Sequence, residues 1–226
     1  MAKVYHRNAV APEPGPAATS TSGGSVSAAA AAVEQQQTAV MTVWRKSLLF
    51  NCDGFTVFDA RGDLAFRVDC YGSGRRAEVV LMDAAGTPLL TVRRKRLVSL
   101  AEHWVIYDGD GEHSAPLLSV RRHVSLRASK QLARVTPLGS GAGAAEAYVV
   151  EGSYGRRSCA VRDARGEAVA EVRRKESVGD DVFRLVADPR LGAPLAMGLV
   201  IALDEMFGRG GAAGSARSLL RRTWSA

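Results

Sequence analysis

Four basic runs are the residues in this chain best suited to holding a ligand. They are Arg45-Lys46, Arg93-Arg94-Lys95-Arg96, Arg121-Arg122-His123 and Arg173-Arg174-Lys175. Guanidinium and ammonium groups attract phosphates and other anions by charge, and Arg adds a planar fork of donors. The candidate binding residues are therefore Arg93, Arg94, Lys95, Arg121, Arg122, Arg173, Arg174 and Lys175. Neighbouring side chains on a strand point to opposite faces, so Arg93 and Lys95 share one face and Arg94 takes the other. If the runs meet at one rim, they make a patch for anionic headgroups or phosphates. The commoner use of such runs is as solvated strand ends that deter edge pairing.

Other chemistries find little support. The stretch "DGDGE" from Asp108 suggests calcium, but the twelve-residue ligand loop ending in a bidentate Glu is missing. His6, His103, His113 and His123 lack metal-ligand spacing. Cys52, Cys70 and Cys159 form neither a CxxC pair nor an even set, which argues against zinc and against a disulfide framework. Cys52 sits beside an expected turn at Asp53-Gly54, with no assignable His or carboxylate partner. There is no Gly-x-Ser-x-Gly elbow and no phosphate-cradling Gly-rich loop. The residues predict a protein without enzymatic activity, metal or cofactor.

The elements that must position the basic runs are read from repetition. Four segments share one pattern: "VFDARGDLAFRV" from Val57, "LMDAAGTPLLTVRRK" from Leu81, "IYDGDGEHSAPLLSVRR" from Ile106 and "VRDARGEAVAEVRRK" from Val161. Each is an apolar strand, then Asp-x-x-Gly, then a second strand. Asp opens a type I turn by accepting backbone N–H groups, and Gly at the fourth position supplies a left-handed conformation and a bulge. Hairpin tips are expected at Asp59/Gly62, Asp83/Gly86, Asp108/Gly111 and Asp163/Gly166. Further strands are expected over Thr42–Lys46, Ala77–Asp83, Glu102–Asp108, Ala147–Glu151 and Val182–Ala187. About ten to twelve short strands with turn signals between them suggest a sandwich or barrel.

The pattern changes near Pro189. "LGAPLAMGLVIALDEMFG" from Leu191 is apolar on every face until Asp204, which means burial in protein or in membrane. A membrane span needs ~20 apolar residues, so the run is read as a buried helix over 194–207. Pro194 suits its first turn and Gly208 the position after its end. Asp204 and Glu205 lie where the helix dipole disfavours negative charge. Solvation of both is the simpler expectation. The alternative is pairing with an inward Arg from a Val-Arg-Arg strand.

Length and composition fit one domain with tails. The chain has 226 residues, 46% hydrophobic, and a formal net charge of +7, which favours anionic partners. Residues 1–40 are rich in Ala, Pro, Ser, Thr, Gly and Gln and are expected to be disordered. The domain is expected over 41–208, with a loop insertion "LGSGAGAAE" from Leu138 and a flexible basic tail over 209–226. No secretory h-region is visible, so an intracellular protein is expected.

Several blocks carry a family resemblance. "TVWRKSLLFNCDGFTVFDARGDLAFRVDCY" from Thr42, "PLLTVRRKR" from Pro88, "AEVRRKE" from Ala170 and the "DVFRLV … AMGLVIALDEMF" ending together resemble the plant LURP-one-related family. The resemblance implies a fold similar to the tubby C-terminal domain and to phospholipid scramblases. That fold is a mainly β, closed antiparallel barrel of about twelve strands around a C-terminal hydrophobic helix. It also implies no enzymatic activity and a link to plant defence. By analogy with tubby domains it implies a phosphoinositide- or membrane-linked module in signalling or transcription regulation. The alternatives are a protein-interaction adaptor in defence signalling and a scramblase-like lipid-handling protein. The expected partners are anionic phospholipid or phosphoinositide headgroups, or a signalling protein. The protein is expected as a monomer in the cytoplasm, at the plasma membrane or in the nucleus. No base-reading motif for nucleic acid is visible.

Overall fold

The computed structural model describes residues 37–49, 53–70, 77–95, 102–110, 114–125, 129–138, 147–175, 179 and 181–208. His6, Cys52, His113, nearly all of the N-terminal tail, most of the Gly-rich insertion and the 209–226 tail lie outside them.

The Asp-x-x-Gly tips set the local geometry. At the first, Asp59 Oδ1 accepts the N–H groups of Arg61 (2.8 Å) and Asp63 (2.9 Å), and Gly62 N–H donates to the Asp59 carbonyl. Asp163 repeats this with Arg165 and Glu167, and Asp83 holds the N–H of Thr87. Gly62, Gly86 and Gly166 have φ of 92°, 92° and 82°, where a side chain would be strained. A register shift stands beside each tip, as the bulged hairpin requires. The fourth tip differs: Gly109 takes the left-handed conformation there, with φ 58°, and Gly111 lies outside the described residues.

These hairpins and their connections give twelve strands: β1 (Ala39–Trp44), β2 (Asp53–Phe58), β3 (Leu64–Cys70), β4 (Glu78–Asp83), β5 (Pro88–Arg94), β6 (His103–Asp108), β7 (Pro116–Arg122), β8 (Gln131–Pro137), β9 (Tyr148–Ser153), β10 (Ser158–Arg162), β11 (Ala168–Arg174) and β12 (Val182–Ala187). Each pairs antiparallel with its sequence neighbour, and β12 pairs with β1, closing the barrel. Strand β8 was not among the expected strands, because no turn signal flags its start. Asp53-Gly54 is not a turn: both residues lie inside β2, facing Cys70 and Asp69. Gly54 is needed there by close approach, since a Cβ would sit 1.9 Å from the Val68 carbonyl oxygen.

The barrel encloses helix α1 (Ala193–Phe207). Its 15 residues span ~22 Å, matching strands of six or seven residues at ~3.3 Å each, so it runs from rim to rim. Pro194 occupies the first turn, and the Gly208 N–H closes the end on the Asp204 carbonyl at 2.7 Å. Alternate strand residues such as Val43, Val57, Leu81, Val92, Ile106, Val120 and Leu185 pack with Met197, Leu199, Ile201 and Leu203 in one core. Gly198 lets the helix approach β5 and β6. A Cβ there would stand 3.3 Å from both Leu90 Cδ1 and Ile106 Cδ1. No helix among the described residues is long and apolar enough to cross a membrane.

Gly198→Val overfills this contact. It is expected to lower the unfolding free energy by about 2 kcal/mol, read as a lower urea midpoint with an unchanged slope.

Candidate functional site

Strand direction alternates around the barrel, so the ends of odd-numbered strands share one rim. That rim receives all three Val-Arg-Arg ends: Arg93-Arg94 from β5, Arg121-Arg122 from β7 and Arg173-Arg174 from β11. Lys95 and Lys175 follow directly, and Arg45-Lys46 follows β1. The Asp-x-x-Gly tips lie at the opposite rim. Backbone donors from Asp63 and Thr87 hold the Asp59 and Asp83 carboxyls below the ordinary range, so these tips stay ionised. One rim is therefore basic and the other is lined by carboxylates.

Strand alternation divides the basic residues. Arg94, Arg122 and Arg174 continue the faces of Val92, Val120 and Val172, toward the mouth around the helix end. There the Arg122 guanidinium stacks over the Phe207 ring at 4.8 Å. Glu102 bridges Arg122 at 3.1 Å and Arg94 at 3.5 Å. On the outer face, Arg93 bonds Glu78 at 2.6 Å and covers Tyr107, and Arg173 pairs with Glu171 on its own strand. Lys95, Arg121 and Lys175 make no ion pair among the described residues. His103 senses this positive surrounding. Burial lowers its pKa, and Arg121 and Lys95 lower it further. Its Nε2 lies 2.8 Å from the Ser119 hydroxyl, inside the wall and away from solvent.

The mouth also holds a cluster that the sequence reading mistook. Asp204 is 9% exposed, so solvation does not explain it. Arg45 Nε donates to both of its carboxylate oxygens at 3.0 Å, and the Tyr154 hydroxyl donates to Oδ1 at 3.2 Å. Arg157 Nη1 lies 3.9 Å from the same oxygen. The Arg157 guanidinium is sandwiched between the rings of Tyr154 (4.5 Å) and Phe183 (4.4 Å). Its backbone takes φ 52°, rare for a residue with a Cβ. The partner of Asp204 is thus an inward Arg, but from Trp-Arg-Lys at the end of β1 rather than from a Val-Arg-Arg strand. Burial works against the Arg45 charge, and Asp204 outweighs it to raise the Arg45 pKa. These cations also meet the negative end of the helix dipole.

Two buried groups here are held in their protonated forms. Cys159 is a buried free thiol whose pKa burial pushes up to about 12. Tyr154 is held well above its ordinary value by burial and by Asp204. Among the described residues no group of three or more His, Cys, Asp or Glu side chains can hold a metal ion. A cavity of about 10 Å³ between β10, β11 and the helix is at the lower limit for one water, so the helix fills the barrel there.

Two measurements check this picture. Asp204→Ala leaves two Arg charges in the mouth, and is expected to cost about 3 kcal/mol in urea unfolding. The cost falls at the low end for a buried pair because the Arg45 side chain is 27% exposed. Alkali should also destabilise the fold. Cys159 has a raised folded pKa, so its contribution is complete below its ordinary value of 9.0 and drains away as pH rises toward about 12. The melting temperature should fall across that window, and less steeply in Cys159→Ala.

Comparison with known proteins agrees with the blocks noted in the sequence. The LURP-one-related family model matches residues 39–204. The chain is similar to Protein LURP-one-related 8 of Arabidopsis thaliana, with 45% identity over 77% of this chain and 90% of that protein. It is also similar to Protein LURP-one-related 12 of the same plant, with 38% identity over 76% and 80%. A solved X-ray structure of another Arabidopsis thaliana protein aligns with 22% identity and a TM-score of 0.49, covering 76% of this chain and 90% of that one. With its motifs in family order and the match running from the first strand to the buried carboxylate of the central helix, the chain belongs to the LURP-one-related family.

Proposed function

We propose that the protein is a non-enzymatic binding module that holds anionic phospholipid headgroups, phosphoinositides among them, on its basic rim. Its setting is plant defence signalling, which the family membership suggests. One observation carries the reading. The three Val-Arg-Arg ends stand on a single rim, and Lys95, Arg121 and Lys175 there have no ion pair among the described residues. Arg94 and Arg122 are engaged by Glu102, Arg45 by Asp204, and Arg93 and Arg173 by Glu78 and Glu171. The binding set is thus narrower than the basic runs as a whole. The barrel interior is filled by its helix, which favours a surface role over a ligand cavity.

Cosedimentation tests this. The full chain is expected to pellet with phosphatidylcholine vesicles carrying phosphatidylinositol bisphosphate, and to be released by salt. Each basic residue near an anionic surface contributes about 1 kcal/mol, so Lys95→Glu/Arg121→Glu/Lys175→Glu should bind at least a hundredfold more weakly. Failure of the unaltered chain to pellet at low salt would sink the reading.

A further inference from the structure

The basic rim also carries exposed apolar side chains. Trp44 is 45% exposed, Leu48 is 55% exposed and Val124 is 65% exposed. Trp44 ends β1, Leu48 lies in the connection to β2, and Val124 follows the end of β7, so all three belong to the rim where the helix ends. Val40 and Leu138 are exposed elsewhere.

Trp44 sits opposite Val182 on one side and Thr56 on the other, with its ring edge-on to Phe58 at 5.8 Å. Beside this apolar shoulder stands Arg184, exposed and without an ion pair among the described residues. Its partner across the sheet is another cation, Arg173. The same like-charge pairing recurs where Arg121 faces Arg134. Directly opposed like charges destabilise a sheet. Glu171 offsets the first pair through Arg173, but Arg121 and Arg134 have no ion pair among the described residues, a pairing costly on a bare wall and favourable against an anionic one.

We propose that this rim seats on an anionic bilayer, with Trp44 and Leu48 entering the interfacial zone while Lys46, Arg184, Lys95 and Arg121 lie against the headgroups. The proposal rests on the anion-binding reading above and adds its orientation and its source of anion. A free inositol phosphate gains nothing from an exposed indole and isobutyl group. A bilayer rewards both, since Trp favours the boundary between headgroups and acyl chains. The acidic turns at the far rim reinforce the pose, because an anionic surface repels that end and attracts the other.

Fluorescence separates the outcomes. Trp104 is buried in the barrel, so a Trp224→Phe background leaves Trp44 as the reporter. With vesicles of phosphatidylcholine and phosphatidylserine, emission should shift to the blue and be quenched by acyl-chain bromines. Trp44→Phe in that background should abolish both signals while Trp104 emission still reports a folded barrel. Leu48→Ser should lower vesicle partitioning about tenfold while leaving binding of soluble inositol hexakisphosphate unchanged. Vesicle binding with no quenching and no effect of Leu48→Ser overturns the bilayer pose but keeps the headgroup reading. Equal affinity for the soluble phosphate and the vesicle, again with no Leu48 effect, makes a free anion the ligand. Binding of neither overturns both proposals and leaves the apolar shoulder to a protein.

Discussion

A helix that is apolar on every face cannot lie against a sheet and leave one side in water. Helix α1 has ten buried residues, from Ala196 to Met206, so it must be surrounded. A helix with its side chains is ~10 Å across, and an eight-stranded barrel has room only for its own side chains. Twelve strands supply the extra circumference. Closure then removes the sheet edges, which answers the edge-pairing problem that basic strand ends are often used to solve. Those basic ends therefore need another reason to be there.

Part of the reason is the helix itself. Its C-terminus delivers the negative end of its dipole, and the Asp204 carboxylate, into an enclosed mouth. Arg45 and Arg157 meet that charge, and Arg122 covers the terminal Phe207 ring. Strand alternation makes one arginine of each Val-Arg-Arg end face the mouth and its neighbour face outward. Of the inward set, Arg122 covers the helix end, and Glu102 ties Arg94 to it. The outward set is not required by the helix.

The other rim follows from turn chemistry. Asp59 and Asp163 each accept two backbone N–H groups at their tips, and Arg190 links Asp163, Glu167 and Asp188 into one network there. The barrel thus acquires opposite charge at its two ends from two unrelated causes, helix-end compensation at one and hairpin formation at the other. A molecule polarised in this way is oriented in the field of a charged surface.

Much of the architecture was legible in the chain. Asp-x-x-Gly between alternating runs specified three hairpins in the predicted form, and the all-apolar run with Pro194 and Gly208 specified a buried helix to within a residue. These are short-range effects, in which the residues that decide the geometry are neighbours. Strand β8 escaped because it lacks such a turn signal. The number of strands and the closure of the barrel came from the family resemblance, since periodicity alone allowed a sandwich. What only the tertiary structure decided was company. Arg45 and Asp204 are 159 residues apart, and nothing local to either reports the other. The same holds for Tyr154 with Asp204, and for the meeting of three basic ends with Trp44 and Leu48 on one rim. Strand pairing through space sets which charges are neutralised and which remain. The basic runs that opened the reading of this chain therefore divide into a structural set and an available one.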